Sequence, residues 1–163
     1  MTILAALLLA AAPASACPAP APLAEPWSNW NGGGQAEAGV EAQGAPLLIP
    51  GKALTADLRP IDHVHFAAPP GKGAKEGRGG LFVLSLKAAA RVGIALSGAA
   101  WVDVVTGTVP VASVDHGHGP DCSGIRKIVW FDLPAGRHIV QIAGAIDRRM
   151  RIMATDAKTP QPG

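Results

Sequence analysis

The residues with the most chemical potential are histidines and cysteines. His116-Gly117-His118 places two imidazoles one residue apart, between Asp115 and Asp121, with Cys122 four residues further on. A second pair with the same spacing, His63-Val64-His65, sits in Ile61-Asp62-His63-Val64-His65-Phe66. Imidazole nitrogen is a good ligand for Zn, Cu, Fe and Ni. Two H-x-H pairs with an aspartate would supply enough donors for a tetrahedral or open catalytic site. The candidate metal set is therefore His116, His118, His63, His65 and Asp121, with Fe, Cu or Zn as the ion. Structural readings compete with it. In a strand, His63 and His65 would share one face and Val64 and Phe66 the other, which is also how a one-sided antiparallel sheet looks. Gly117, Gly119 and Pro120 suit consecutive turns, with Asp115 bonding locally. No C-x-x-C or H-E-x-x-H element accompanies the pairs.

His138, in Leu133-Pro134-Ala135-Gly136-Arg137-His138-Ile139-Val140, shares a face with Val140 and Ile142 and reads as a histidine at a strand start. Cys122 beside a histidine would be a nucleophile. Ser123-Gly124 after it carries no nucleophile-elbow pattern.

The fate of Cys122 depends on the amino terminus. Ile3 to Ala12 is an uncharged apolar run, followed by Pro13 and Ala14-Ser15-Ala16. That is the apolar core and A-x-A cleavage site of a signal peptide over residues 1–16, and it predicts a periplasmic or secreted protein. No later stretch has the roughly 18 continuous apolar residues of a transmembrane segment. Cleavage after Ala16 makes Cys17 the new terminus, where it either accepts a lipid anchor or pairs with Cys122, the only other cysteine. Bacterial lipoproteins prefer a leucine or branched side chain three residues before the cysteine, and here that residue is Ala14. An even pair in an oxidising compartment favours a Cys17–Cys122 disulfide. By chain entropy, closing a loop of about 100 residues contributes a little under 5 kcal/mol.

Charge excludes one class of partner. The net charge is +2, the basic residues are scattered, and Arg148-Arg149-Met150-Arg151 is the one local cluster. With four Trp, three Phe and no Tyr, the chain has no basic aromatic platform for nucleic acid. A small ligand, a glycan or a metal ion remains. A binding module needs a concave face or an exposed aromatic patch, for which Trp27, Trp30 and Trp101 are the candidates.

The elements that must hold these groups are short. Apolar runs of five to eight residues, rich in Val and Ile, lie between Gly, Pro and Asp breakers. They are Ala53–Leu58, Ile61–Ala67, Leu81–Leu86, Val92–Ser97, Trp101–Val105, Val109–Val114, Ile128–Leu133, Ile139–Ala143 and Arg149–Ala154. This spacing predicts an all-β fold, an antiparallel jelly-roll-like β-sandwich of about eight or nine short strands. Residues 47–155 form that domain, after an extended N-terminal arm over 17–46. A disordered tail covers 156–163 and a polar loop runs from Pro69 to Gly80. The one place for a helix is Leu86–Arg91. An internal echo relates Phe82–Ala99 to Trp130–Ala145, each reading strand, small-residue turn, strand, Gly-Ala. It predicts two related hairpins and resembles jelly-roll and bacterial pre-peptidase-like modules.

Two further resemblances bear on function. His63-Val64-His65 and Pro134-Ala135-Gly136-Arg137-His138 are similar to the two cupin motifs, an H-x-H followed by glutamate and a P-x-G followed by histidine. The first glutamate after His65 is Glu76, and His138 follows its glycine by two residues where the motif has three. A one-residue slip turns a strand side chain to the opposite face, so the cupin iron or manganese site is not carried over. Gly80-Leu81-Phe82-Val83-Leu84, Ala99–Val105, His116–Lys127 and Phe131–Arg137 together resemble short exported bacterial proteins, some of which carry the name homogentisate 1,2-dioxygenase. That enzyme is a longer, cytoplasmic, cupin-like iron protein using two histidines and a glutamate, a pattern from which this chain departs. The main expectation is an exported binding or accessory module. The alternative implied by the resemblance is a non-haem iron or copper oxidoreductase using His63, His65, His116 and His118.

Overall fold

The computed structural model describes residues 17, 22–71 and 74–157. The predicted signal peptide, residues 1–16, and residues 158–163 of the predicted tail lie outside them. The chain forms two mixed six-stranded sheets packed as a β-sandwich. Twelve strands are present among the described residues, against the eight or nine expected. They are β1 Gly34–Glu37, β2 Leu47–Leu48, β3 Ala53–Asp57, β4 Arg59–Pro60, β5 Arg78–Leu86 and β6 Ala90–Leu96. Then come β7 Trp101–Thr106, β8 Val109–Val111, β9 Asp115–Gly117, β10 Lys127–Leu133, β11 Gly136–Ala145 and β12 Arg149–Ala157. Sheet A has the order β1-β3-β12-β6-β10-β9; sheet B has β2-β5-β11-β7-β8, with β4 also on β5.

Several expectations need correction. The sheets are not purely antiparallel, because β1 runs parallel to β3 and β2 parallel to β5. The N-terminal arm is not merely extended, since it supplies β1. Arg78–Gly80, placed in the polar loop, opens β5, and Asp156 and Ala157, placed in the tail, complete β12. Leu86–Arg91 is the end of β5, a bend and the start of β6. Ile61–Ala67 is not a strand: Ile61–His63 is a single 3-10 turn. Pro60 enters it with φ −51°, and the Val64 N–H closes on the Ile61 carbonyl at 3.1 Å.

The echoed segments are not hairpins. β5 lies in sheet B and β6 in sheet A, whereas β10 lies in sheet A and β11 in sheet B. Each segment is an arch that crosses the core, and the two arches interlock, β5 pairing with β11 and β6 with β10. Their inward residues form the main core, including Phe82, Leu84, Ile94, Leu96, Phe131, Val140 and Ile142. β12 closes this core with Met150, Ile152 and Ala154. Inward and outward positions alternate along the strands, as the pleat requires.

Both sheets also bury part of their outer faces. On sheet A one cross-strand row reads Ala53–Met153–Ala95–Ile128, and Trp27 and Trp30 pack on it. On sheet B, Leu81, Val83, Val105 and Ile139 are covered by Ala45, Val64 and Ala68, with Phe66 partly buried beside them.

Candidate functional site

The structure places His116-Gly117-His118 at the edge of sheet A and His63-Val64-His65 in the irregular segment that covers sheet B. His116 lies in β9, at the edge of sheet A opposite Val129, with its side chain exposed. Its own N–H donates to the Asp115 carboxylate at 2.7 Å. His118 follows β9, and its Nδ1 donates to the Arg126 carbonyl at 2.8 Å. A carbonyl only accepts, so this bond places a proton on Nδ1. His63 ends the 3-10 turn beside β5 of sheet B, and His65 follows it; both are exposed. Asp121 is exposed in the turn that carries Cys122. Among the described residues no group of three or more His, Cys, Asp or Glu side chains is close enough to hold a metal ion.

His138 is buried at 1% exposure and has both ring nitrogens engaged. Nε2 donates to the Pro134 carbonyl at 2.8 Å, and Nδ1 accepts from the Thr106 hydroxyl at 2.8 Å. This is a satisfied core histidine with its tautomer fixed by its neighbours.

Cys17 and Cys122 form the expected disulfide, with Cα atoms 5.4 Å apart and a sequence separation of 105. A sulfur held in this bridge is not free to carry a lipid thioether. The loop around Cys122 is closed on itself: Gly119 N–H donates to the Ile125 carbonyl at 3.2 Å, and Ile125 N–H to the Ser123 hydroxyl at 3.0 Å. The bridge therefore ties the chain entering the Trp27–Trp30 segment to a pre-formed turn.

That segment is a strap across sheet A. Arg151 Nη1 donates to the carbonyls of Trp30 at 2.6 Å and Gly32 at 2.7 Å. Asn29 Nδ2 donates to the Gly51 carbonyl at 3.0 Å, joining the strap to the turn between β2 and β3. Trp130 lies beside the strap, 6.1 Å from Trp27 between ring centroids and tilted by 59°. Its ring spreads over Gly93 on β6, where a Cβ would fall 2.6 Å from the indole. Glycine at 93 lets the indole lie flat towards Thr155 in the same cross-strand row.

Two clefts meet at Asn29. One, of about 420 Å³, opens between the sheet edges and is lined by Leu47, Ile49, Leu54, Lys52 and the Gly32–Gly34 backbone. The other, of about 440 Å³, lies across the strap and is lined by Trp130, Thr155, Pro50, Glu25 and Asp156. A third, of about 290 Å³, is lined by Trp101, Lys127 and Ile146, where the β6–β7 connection passes the start of β10. There the Trp101 indole N–H donates to Asp103 at 2.7 Å, and the Lys127 ammonium stands 5.7 Å from the ring centroid. Burial lowers the Lys127 pKa from the ordinary lysine value, and the charge of Asp103 works against that shift.

Of the tryptophans expected to form an exposed patch, Trp27 and Trp30 are buried, and Trp101 is 40% exposed. The tryptophan at the strap clefts is Trp130, which the sequence places only in a strand. The signal that was present is Leu47-Leu48-Ile49 before Pro50-Gly51. It is a short apolar run whose alternate members, Leu47 at 60% and Ile49 at 49% exposure, face outward. Comparison with protein-family models, with curated proteins and with solved structures returned no match to this chain.

Proposed function

We propose that the chain is an exported, non-catalytic β-sandwich module that binds a small ligand in the pair of clefts meeting at Asn29. The observation that carries this reading is the size and lining of those clefts. Each has the volume of a small-molecule site, and each mixes apolar walls with a few polar groups. The Cys17–Cys122 bridge supports a periplasmic or secreted location, since such bonds persist in oxidising compartments. The resemblance to short exported bacterial proteins fits the same picture.

A metal-dependent oxidoreductase needs at least three ligating atoms and an open position. The placement of one H-x-H pair at the edge of sheet A and the other in the cover of sheet B weighs against that alternative, as does the lack of a three-ligand group among the described residues. The test is a small-molecule screen on the purified protein, with amide and indole NMR shifts mapped onto the chain. Ligand-induced shifts should cluster at Asn29, Leu47, Ile49, Lys52 and Trp130. Stoichiometric uptake of Fe, Cu or Zn, with broadening at His116 and His118 and no shifts at the clefts, would replace this reading with the metal one.

A further inference from the structure

The structure assigns the cleft at Leu47 and Lys52 a more definite occupant: we propose the alkyl chain of a single-chain carboxylic acid, with its carboxylate at Lys52. This rests on the small-ligand reading and names the ligand class for one of its two clefts.

Three observations converge on it. First, Leu47 and Ile49 are two of the six large apolar side chains left exposed among the described residues, and both line this one cleft. Leu54, which also lines it, packs against the main core, so the apolar surface runs inward from the mouth. Second, one wall is bare backbone. Gly33 has φ +106°, and a Cβ there would fall 1.9 Å from the Ala53 carbonyl oxygen. The strand edge thus approaches β3 closely and leaves a smooth slot rather than a row of side chains. Third, Lys52 is the only charged residue lining the cleft, it is exposed, and it makes no ion pair among the described residues. The carboxylates, Glu25 and Asp156, line the other cleft, beyond Asn29. An apolar slot with a cation at its mouth and no competing anion complements an amphiphile with an acidic head. An alkyl cation or a neutral alcohol of the same length would gain nothing from Lys52.

Calorimetry with octanoate, decanoate and dodecanoate, each below its micelle concentration, tests the assignment. Decanol and decyltrimethylammonium serve as head-group controls. Burying each added methylene should tighten binding by about fourfold. Lys52→Gln should weaken decanoate by about tenfold, a typical loss for one charge-assisted contact, and leave decanol unchanged. Leu47→Asp, at an exposed position, should remove binding of both while the unfolding transition stays in place. Affinity independent of chain length, equal binding of the alkyl cation, or no effect of Lys52→Gln would each overturn the proposal. So would a concentration-dependent dimer abolished by Leu47→Asp, because the cleft would then belong to a second copy of the chain. If no acid binds but another ligand shifts the Leu47 and Trp130 signals, the acid assignment fails and the binding-module reading stands. If no ligand shifts them, both fail.

Discussion

Sheet A and sheet B each bury part of an outer face beneath an irregular segment, and the two covers are held by different forces. Over sheet A the strap presents Trp27 and Trp30 to a row of small and flexible apolar side chains. It is fixed by the disulfide behind it, by Arg151 on its carbonyls and by Asn29 on the next turn. Over sheet B the cover is built from small residues, Ala45, Val64 and Ala68, and a buried polar pair of contacts fixes it. The Gln141 amide, 1% exposed, donates to the Ala68 carbonyl at 2.9 Å and accepts from the Ala68 N–H at 3.4 Å. Asp103 then accepts from Gly71 N–H at 3.1 Å. A cover of large rings on a covalent tether leaves gaps at its margins. The other cover is built from small residues and sewn down by hydrogen bonds. The clefts of about 420 and 440 Å³ flank the strap.

Cutting the tether should give the largest effect. Replacing Cys17 and Cys122 together by Ser removes a loop constraint whose chain-entropy value is about 4.7 kcal/mol, with measured losses usually about 2–5. Urea unfolding should show a fall in that range, with Trp27 and Trp30 losing their buried fluorescence first. A loss below about 1 kcal/mol would mean that the tryptophans and Arg151 hold the strap unaided. Next comes Gln141→Leu, which keeps the volume but strips Ala68 of both its partners beneath the cover. Each buried backbone group left unpaired costs roughly 1–3 kcal/mol, and because the bond from the Ala68 N–H is long, at 3.4 Å, about 2–4 is expected in total. Amide exchange should quicken at 66–71 and stay unchanged at 27–32. Quickening over both segments would show that the covers are not independent.

How much of this could be read from the sequence follows from the range of the interactions. The strands with strong apolar runs were legible, because burial on one or both faces writes itself into five or more consecutive residues. β1, β2, β4 and β9 were not, since two to four residues carry no period and form strand only by docking on a neighbour. The arches echo each other in sequence, yet the same strand–turn–strand pattern serves a hairpin or a crossing, and the choice is made by partners 31 to 67 residues away. His63 and His65 were expected on one face of a strand, but Pro60 starts a turn where alternation suggested that strand. Cysteine pairing was legible from the count and the expected compartment. The clefts were hidden: Trp130 becomes a cleft wall only through its register with Gly93, and Gly33 only through its approach to Ala53.

The smallest expected effect is a control, because it touches neither cover. Arg91 and Asp132 stand directly opposite each other on β6 and β10, near the crossing of the two arches. Arg91 Nε and Nη2 reach the two carboxylate oxygens at 2.7 and 2.9 Å, and both side chains are more than half exposed. The hydrogen bond from the guanidinium, more than its charge, holds the Asp132 carboxyl below the usual aspartate range. A carboxyl depressed in the folded state adds stability above its unfolded pKa and loses it as pH falls through the folded value. The melting-temperature gap between the natural protein and Asp132→Asn should therefore be small and constant at neutral pH. It should close on acidification below about pH 4 and shrink with added salt. Exposure and screening keep this contribution slight, as for most surface ion pairs. A gap that survives at acid pH would assign it to the amide's own contacts. A gap larger than that of Gln141→Leu would mean that the arch crossing, rather than either cover, limits the stability of the sandwich.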